Sequence, residues 1–73
     1  MFQDQVVVIT GGAGGIGKCI AEEFRKNGAQ VCIIDTALGD HFVGDIGDQA
    51  VLEDFARHVI DRFGRVNVLV NNA

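Results

Sequence analysis

Val6-Val7-Val8-Ile9-Thr10-Gly11-Gly12-Ala13-Gly14-Gly15-Ile16-Gly17 is the stretch whose reading decides the fold. Four successive β-branched apolar residues, closed by Thr10, predict a strand buried on both faces. Five of the next seven residues are glycine, which clears the backbone of side chains. A helix-period pattern begins at once. A strand, a glycine loop and a helix in that order suit a diphosphate: peptide N–H groups can approach the phosphates, and the positive end of the helix faces them.

Outward from that stretch, Ile16, Cys19, Ile20 and Phe24 recur at helical spacing over residues 15–27, with Glu22, Glu23, Arg25 and Lys26 on the other face. Gly28 is expected to end this helix in a left-handed conformation. Val31-Cys32-Ile33-Ile34-Asp35 reads as a second apolar strand ending in a carboxylate. Residues 36–41 read as loop, and Phe42-Val43-Gly44 as a short third strand. Gly47 or Asp48 should cap a second helix with Leu52, Phe55, Ala56, Val59 and Phe63 as its buried stripe, stopped at Gly64. Val66-Asn67-Val68-Leu69-Val70 reads as the last strand. The order β-α-β-β-α-β, without proline, implies an α/β fold with a parallel sheet and right-handed crossovers.

The 73 residues allow one small domain, and a chain this short buries only about 60% of its unfolded surface. A hydrophobic content of 48% and a mean hydropathy of +0.24 suit a sheet covered on both faces, as in part of a larger unit. The net charge is −4 and the six Lys and Arg residues are scattered, so nucleic acid is not an expected partner. No apolar run approaches the roughly 18 residues of a membrane span. Met1-Phe2-Gln3-Asp4-Gln5 lacks the features of a secretion signal. Cys19 and Cys32 form no CxxC pair and are expected to be reduced, buried and structural, in a cytoplasmic protein. His41 and His58 read as surface residues, His58 pairing with Asp54 one helical turn away. No metal site is expected.

The glycine loop satisfies two templates, Gly12-x-Gly14-x-x-Gly17 and Thr10-Gly11-x-x-x-Gly15-x-Gly17. With Asp35 ending strand two, Asp45-Ile46 after strand three, and Asn71-Asn72-Ala73 after strand four, all 73 residues resemble the N-terminal part of the short-chain dehydrogenases/reductases. The resemblance implies a partial Rossmann, doubly wound fold. Its sheet would have about four parallel strands in order 3-2-1-4, with two crossover helices. It implies NAD(H) binding by Gly11, Gly14, Gly15, Ile16, Gly17, Asp35, Asp45, Ile46, Asn72 and Ala73. Asp35, 18 residues beyond Gly17, would accept hydrogen bonds from the adenosine ribose and repel a 2′-phosphate. No Lys or Arg lies in residues 11–17 or 35–40 to neutralise such a phosphate. Asp45 would face the adenine amino group, with the Ile46 backbone beside it. Asn67 departs from the family, which usually has Asp there.

Family members transfer hydride between an alcohol or carbonyl and the nicotinamide, aided by a Ser and a Tyr-x-x-x-Lys pair. This sequence has no Tyr and no Ser. It is therefore similar to a family member cut before its catalytic half, an incomplete NAD-binding portion over residues 1–73 that is expected to be inactive alone. A small-molecule substrate would bind only with the missing C-terminal part. The residue 66–70 strand, as an uncovered edge, should promote self-association. Two other readings stand beside this one. A non-catalytic NAD-binding module would keep the same residues. A P-loop nucleotide-binding protein would use Gly12 to Lys18 as G-x-x-x-x-G-K, but Cys19 then stands where a hydroxyl should hold Mg²⁺.

Overall fold

The computed structural model describes residues 4–72. Its elements run β1 (Val6–Thr10), α1 (Gly15–Lys26), β2 (Gln30–Asp35), β3 (Phe42–Val43), α2 (Gln49–Phe63) and β4 (Val68–Asn71). The strands form one sheet in the order β3-β2-β1-β4, all pairs parallel. In register, Val8 sits between Cys32 and Leu69, and Ile9 between Ile33 and Val70. The expected α/β architecture and strand order are those observed.

Alternation along the strands divides the core in two. Val6, Val8, Cys32 and Ile34 pack with Phe55 and Val59 of α2. Val7 and Ile9 point the other way, to Ala21 of α1 and to Ala29. Every residue of β1 is buried, as a central parallel strand requires. The helices thus cover opposite faces, and both bring their N-termini to the end of the sheet where the strands finish. α2 is capped by Asp48, whose Oδ1 accepts from Ala50 N at 2.9 Å and Val51 N at 3.4 Å. Gly64 closes it at φ 79°. Gly28, at φ 91°, follows the Asn27 cap of α1 in the left-handed conformation expected of it.

Four local expectations are corrected. The buried residues of α1 are Gly17 and Ala21, while Ile16 is 73% exposed and Cys19 is exposed. Small residues let the helix approach the sheet closely, which turns the larger ones outward or to the flank. In α2, Phe55 and Val59 are buried, but Leu52 and Ala56 are exposed; with Val66 and Leu69 they line a cavity of about 320 Å³ against β1 and β4. β4 starts at Val68 rather than Val66, because Asn67 engages β1 through its side-chain amide as well as its backbone. Asp54 pairs with Arg57 at 3.8 Å rather than with His58, whose ring packs 5.6 Å from Phe42.

Two of the three strand-to-strand connections contain a helix, and the link from β2 to β3 does not. Six residues, 36–41, join these parallel strands, where such a crossover ordinarily takes a dozen or more. The short link suffices because β3 is only two residues long and pairs only with Ile34 and Asp35. Among the described residues, no helix is long and apolar enough to cross a membrane.

Candidate functional site

The C-terminal ends of β1, β2 and β4 converge on the glycine loop. At the end of β1, Thr10 is buried and its Oγ1 donates to Asn71 Oδ1 at 3.0 Å. The Asn72 N–H is shared between Thr10 Oγ1, 3.1 Å away, and the Thr10 carbonyl oxygen, 3.2 Å away. Asn72 Nδ2 donates to the Gly11 carbonyl oxygen at 3.1 Å. The two asparagines therefore fasten β4 to the start of the loop. Gly11, at φ 69°, turns the chain off the strand, and its N–H donates to the Ile34 carbonyl oxygen at 2.8 Å.

The glycines of the loop differ in what they require. A Cβ on Gly17 would collide with the Gly11 carbonyl oxygen and stand 2.7 Å from Asn72 Nδ2 and 2.8 Å from Gly12 Cα. That is the close helix-to-strand contact expected of this residue. A Cβ on Gly12 would lie 3.0 Å from the side chains of Ile9 and Ile33. Gly14 has ordinary extended backbone (φ −136°) and nothing within 4 Å of the Cβ position, so the fold itself gives no reason for glycine there. Gly15 faces equally open space at φ 51°. Gly14 is also the N-cap of α1 and supplies no side-chain hydrogen bond. The first turn of α1, with Ile16 exposed on it, keeps N–H groups that no side-chain cap satisfies.

Asp35, at the end of β2, is tied to this loop. Its Oδ2 accepts from Ala13 N at 3.1 Å, and its Oδ1 from Ala37 N at 2.9 Å. These donors, the Ala37 N–H foremost and then that of Ala13, hold the carboxyl below its ordinary pKa of 3.8, and the nearby His41 adds to the effect. His41 Nε2 lies 2.7 Å from the Ala37 carbonyl oxygen; because a carbonyl only accepts, the ring donates there. A carboxylate has about four acceptor positions, so both Asp35 oxygens retain capacity beyond these two bonds.

Asp45 and Ile46 sit farther along, between β3 and α2. Asp45 is exposed, and its Oδ1 accepts from Gly47 N at 2.9 Å in a turn that leads into α2. Ile46 is half-buried against the α2-side core. Of the sequence-derived positions, Gly11, Gly17 and Asn72 are joined by direct contacts and Asp35 reaches their loop through the Ala13 N–H, whereas Asp45 and Ile46 are placed by their own turn. Ala73 lies outside the described residues. Sequence reasoning missed Ala13 and Ala37, which act through backbone N–H groups and so leave no mark in residue type. Cys32 is buried, and burial pushes its thiol above the ordinary 9.0 against the opposing pull of Arg62 and Arg25; a neutral thiol is an inert one.

A loop of open glycines, a helix N-terminus without a side-chain cap and a carboxylate on the adjacent strand lie together at this end of the sheet.

The sequence model of one family, short chain dehydrogenase, matches residues 5–73. Among curated relatives, a (2S)-[(R)-hydroxy(phenyl)methyl]succinyl-CoA dehydrogenase subunit of Thauera aromatica is 39% identical over 88 aligned positions, covering 99% of this chain and 36% of the relative. Since the chain has 73 residues, that relative carries more than a dozen positions within the matched span that have no counterpart here. The NAD(+) 15-hydroxyprostaglandin dehydrogenase of Mus musculus is 38% identical, covering 94% of this chain and 32% of the relative. Among solved structures, a 3-ketoacyl-(acyl-carrier-protein) reductase of Brucella melitensis, complexed with NADH, superposes with a TM-score of 0.87 at 28% identity, covering 94% of this chain and 34% of that one. The chain thus spans about a third of the length of the proteins it matches. With the glycine loop, the parallel sheet and the strand-end asparagines in place, this chain belongs to the short-chain dehydrogenase family.

Proposed function

We propose that this chain is the NAD(H)-binding segment of a dehydrogenase, holding the adenosine diphosphate half of the cofactor across the ends of β1 and β2. The observation that carries this reading is Gly14. It is a glycine with ordinary backbone angles, open space at its Cβ and an uncapped helix behind it. A residue without a side chain at that point serves something that approaches from outside. Phosphate oxygens would accept from the N–H groups of the loop and of the first turn of α1, where the helix dipole favours negative charge. Asp35 would accept from the ribose hydroxyls with the capacity left on its two oxygens. Its negative charge, with no Lys or Arg in residues 11–17 or 35–40, disfavours the 2′-phosphate of NADP(H). The NAD(+) and NADH in the names of two proteins matched above agree with that preference.

Bound NAD would supply hydride transfer, so the parent activity is oxidation of an alcohol or reduction of a carbonyl. The 73 residues contain no Tyr or Ser to move the accompanying proton. The chain alone is therefore a binding unit without turnover, and its substrate would be met elsewhere.

Calorimetric titration with NADH, NADPH and Mg-ATP in parallel tests this. Heat from NADH, weakened or absent with NADPH and lost in Asp35→Ala, is the expected result. Binding of Mg-ATP alone would overturn it in favour of a P-loop nucleotide site.

A further inference from the structure

The short link between β2 and β3 has a consequence along the outer edge of β2. β3 pairs only with Ile34 and Asp35, so residues 30–33 of β2 have no strand beyond them among the described residues. Gln30 N donates to the Gln5 carbonyl oxygen and Ile34 accepts from Gly11 N, so residues 30, 32 and 34 turn to β1. By alternation, the backbone groups of Val31 and Ile33 face the open edge. A groove of about 590 Å³ runs along this edge, within the roughly 300–1,000 Å³ of small-molecule sites. The link from β2 to β3 is the one strand connection without a helix among the described residues. That link supplies Gly39, Asp40 and His41 to the groove's lining.

Its lining is unlike the rest of the molecule. In a chain of net charge −4, two of the six Lys and Arg residues and both histidines line it, against the single carboxylate of Asp40. Arg25 lies in the last turn of α1 and Arg62 in that of α2, helices on opposite faces of the sheet. A last-turn arginine suits a helix C-terminus, which accounts for each one separately. It does not account for both lining one groove, together with the buried Cys32. Flat apolar surface lies beside them: the Phe42 ring packs 5.6 Å from that of His58, and Arg62 Cζ stands 5.4 Å over the Phe63 ring.

We propose that this groove binds a small organic anion, a carboxylate or phosphate on a flat apolar body, with Arg25 and Arg62 taking the anionic group and Phe42 and His58 facing the ring. Guanidinium forks match both anions, and the neighbouring rings supply contact area that a free inorganic ion would not use. The proposed anion contacts stand apart from the cofactor reading, because Arg25 and Arg62 come from the last turns of the two helices, although His41 of the β2–β3 link borders both places.

Amide chemical shifts of the ¹⁵N-labelled 73-residue chain, titrated with benzoate, phenyl phosphate and benzyl alcohol, test the proposal. Saturable shifts at Val31, Ile33, His58 and Arg62 with at least one anion, absent with benzyl alcohol, are expected, and the two anions separate carboxylate from phosphate. Arg25→Gln and Arg62→Gln should each weaken binding about tenfold, the loss of one charge-assisted hydrogen bond. Each variant is read only with a melting curve matching the parent, and either one suffices. No saturable response, an equal response to benzyl alcohol, undiminished affinity in a folded variant, or shifts confined to residues 11–17 would each overturn it.

Discussion

Asn67 and Val6 exchange two hydrogen bonds, one of which does not belong to a β-ladder. Val6 N donates to Asn67 Oδ1 at 2.8 Å, and Asn67 N donates to the Val6 carbonyl oxygen at 2.9 Å. The pair bolts the start of the central strand to the segment entering β4. Val6 is 2% exposed, so its N–H has no water to fall back on. Asn67→Ala should therefore cost about 1–3 kcal/mol, the penalty for a buried donor left unsatisfied. Asn67→Asp restores the residue usual in the family, keeps an acceptor at that point, and should stay near the parent. Urea unfolding of the two variants checks both, and equal losses would show that the side-chain bond contributes nothing specific.

Gly17 and Gly14 make opposite predictions from the same motif. In an exposed helix, Gly→Ala stabilises by about 1 kcal/mol. At Gly17 the sign should reverse, because the new methyl meets the Gly11 backbone and Asn72; overpacking of this kind costs about 1–3 kcal/mol. Gly14→Ala meets nothing within 4 Å and should leave stability within about 0.5 kcal/mol, yet weaken NADH binding. Melting curves and NADH titrations on both variants separate a residue needed by the fold from one needed by the ligand.

Much of this site was legible in the sequence, and what was not has physical causes. Strand, glycine loop and helix follow one another without a gap, and Asp35 closes an apolar run, so each announced itself locally. The orientation of α1 did not, because counting large apolar residues favours Ile16 and Cys19. Close approach to the sheet is instead granted by Gly17 and Ala21. Leu52 and Ala56 fit the stripe of α2 by spacing but lie over a part of the sheet that nothing else covers. The shortened crossover was equally hidden. Residues 36–41 read as any loop until the strands at their two ends are known to be parallel neighbours.

Asp35 predicts a dependence on pH whose sign is fixed by its partners. The Ala37 and Ala13 N–H groups stabilise the ionised form, so the folded-state pKa lies below the ordinary 3.8. The contribution to stability is fully present above that ordinary value, and it is lost as pH falls through the lower, folded-state value. Asp35→Asn should thus be less stable than the parent from neutral pH down to about pH 5, and the gap should close on further acidification. Melting curves between neutral pH and pH 2.5 on the two proteins test this. A gap independent of pH would detach the two backbone bonds from the carboxylate charge.

The cysteines should differ in reactivity. Cys19 is exposed on α1, whereas Cys32 is buried with its thiol pushed up by burial. Only the thiolate reacts, and only where reagent can reach it. Iodoacetamide at neutral pH should modify Cys19 in the native chain and Cys32 only after denaturant is added, with mass spectrometry of the peptides as readout. Equal rates without denaturant would mean that the sheet opens at β2.

The edge at β4 leads to a prediction about association. β4 pairs with β1 on one side, and no other described strand lies beyond it. Leu69 is 65% exposed and Val66 46%, next to the apolar cavity between α2 and the sheet. An open strand edge carries unpaired backbone groups, and apolar side chains beside it add a driving force for a second strand to pair there. The net charge of −4 opposes association only weakly at physiological salt, where screening acts within about 8 Å. Sedimentation should therefore give a mass that rises above 7.8 kDa with concentration. Leu69→Lys, which places a charge on the exposed face without touching the buried side of β4, should return it toward that value. A parent mass fixed at 7.8 kDa across the whole concentration range would show that the edge is protected by its own twist and short length.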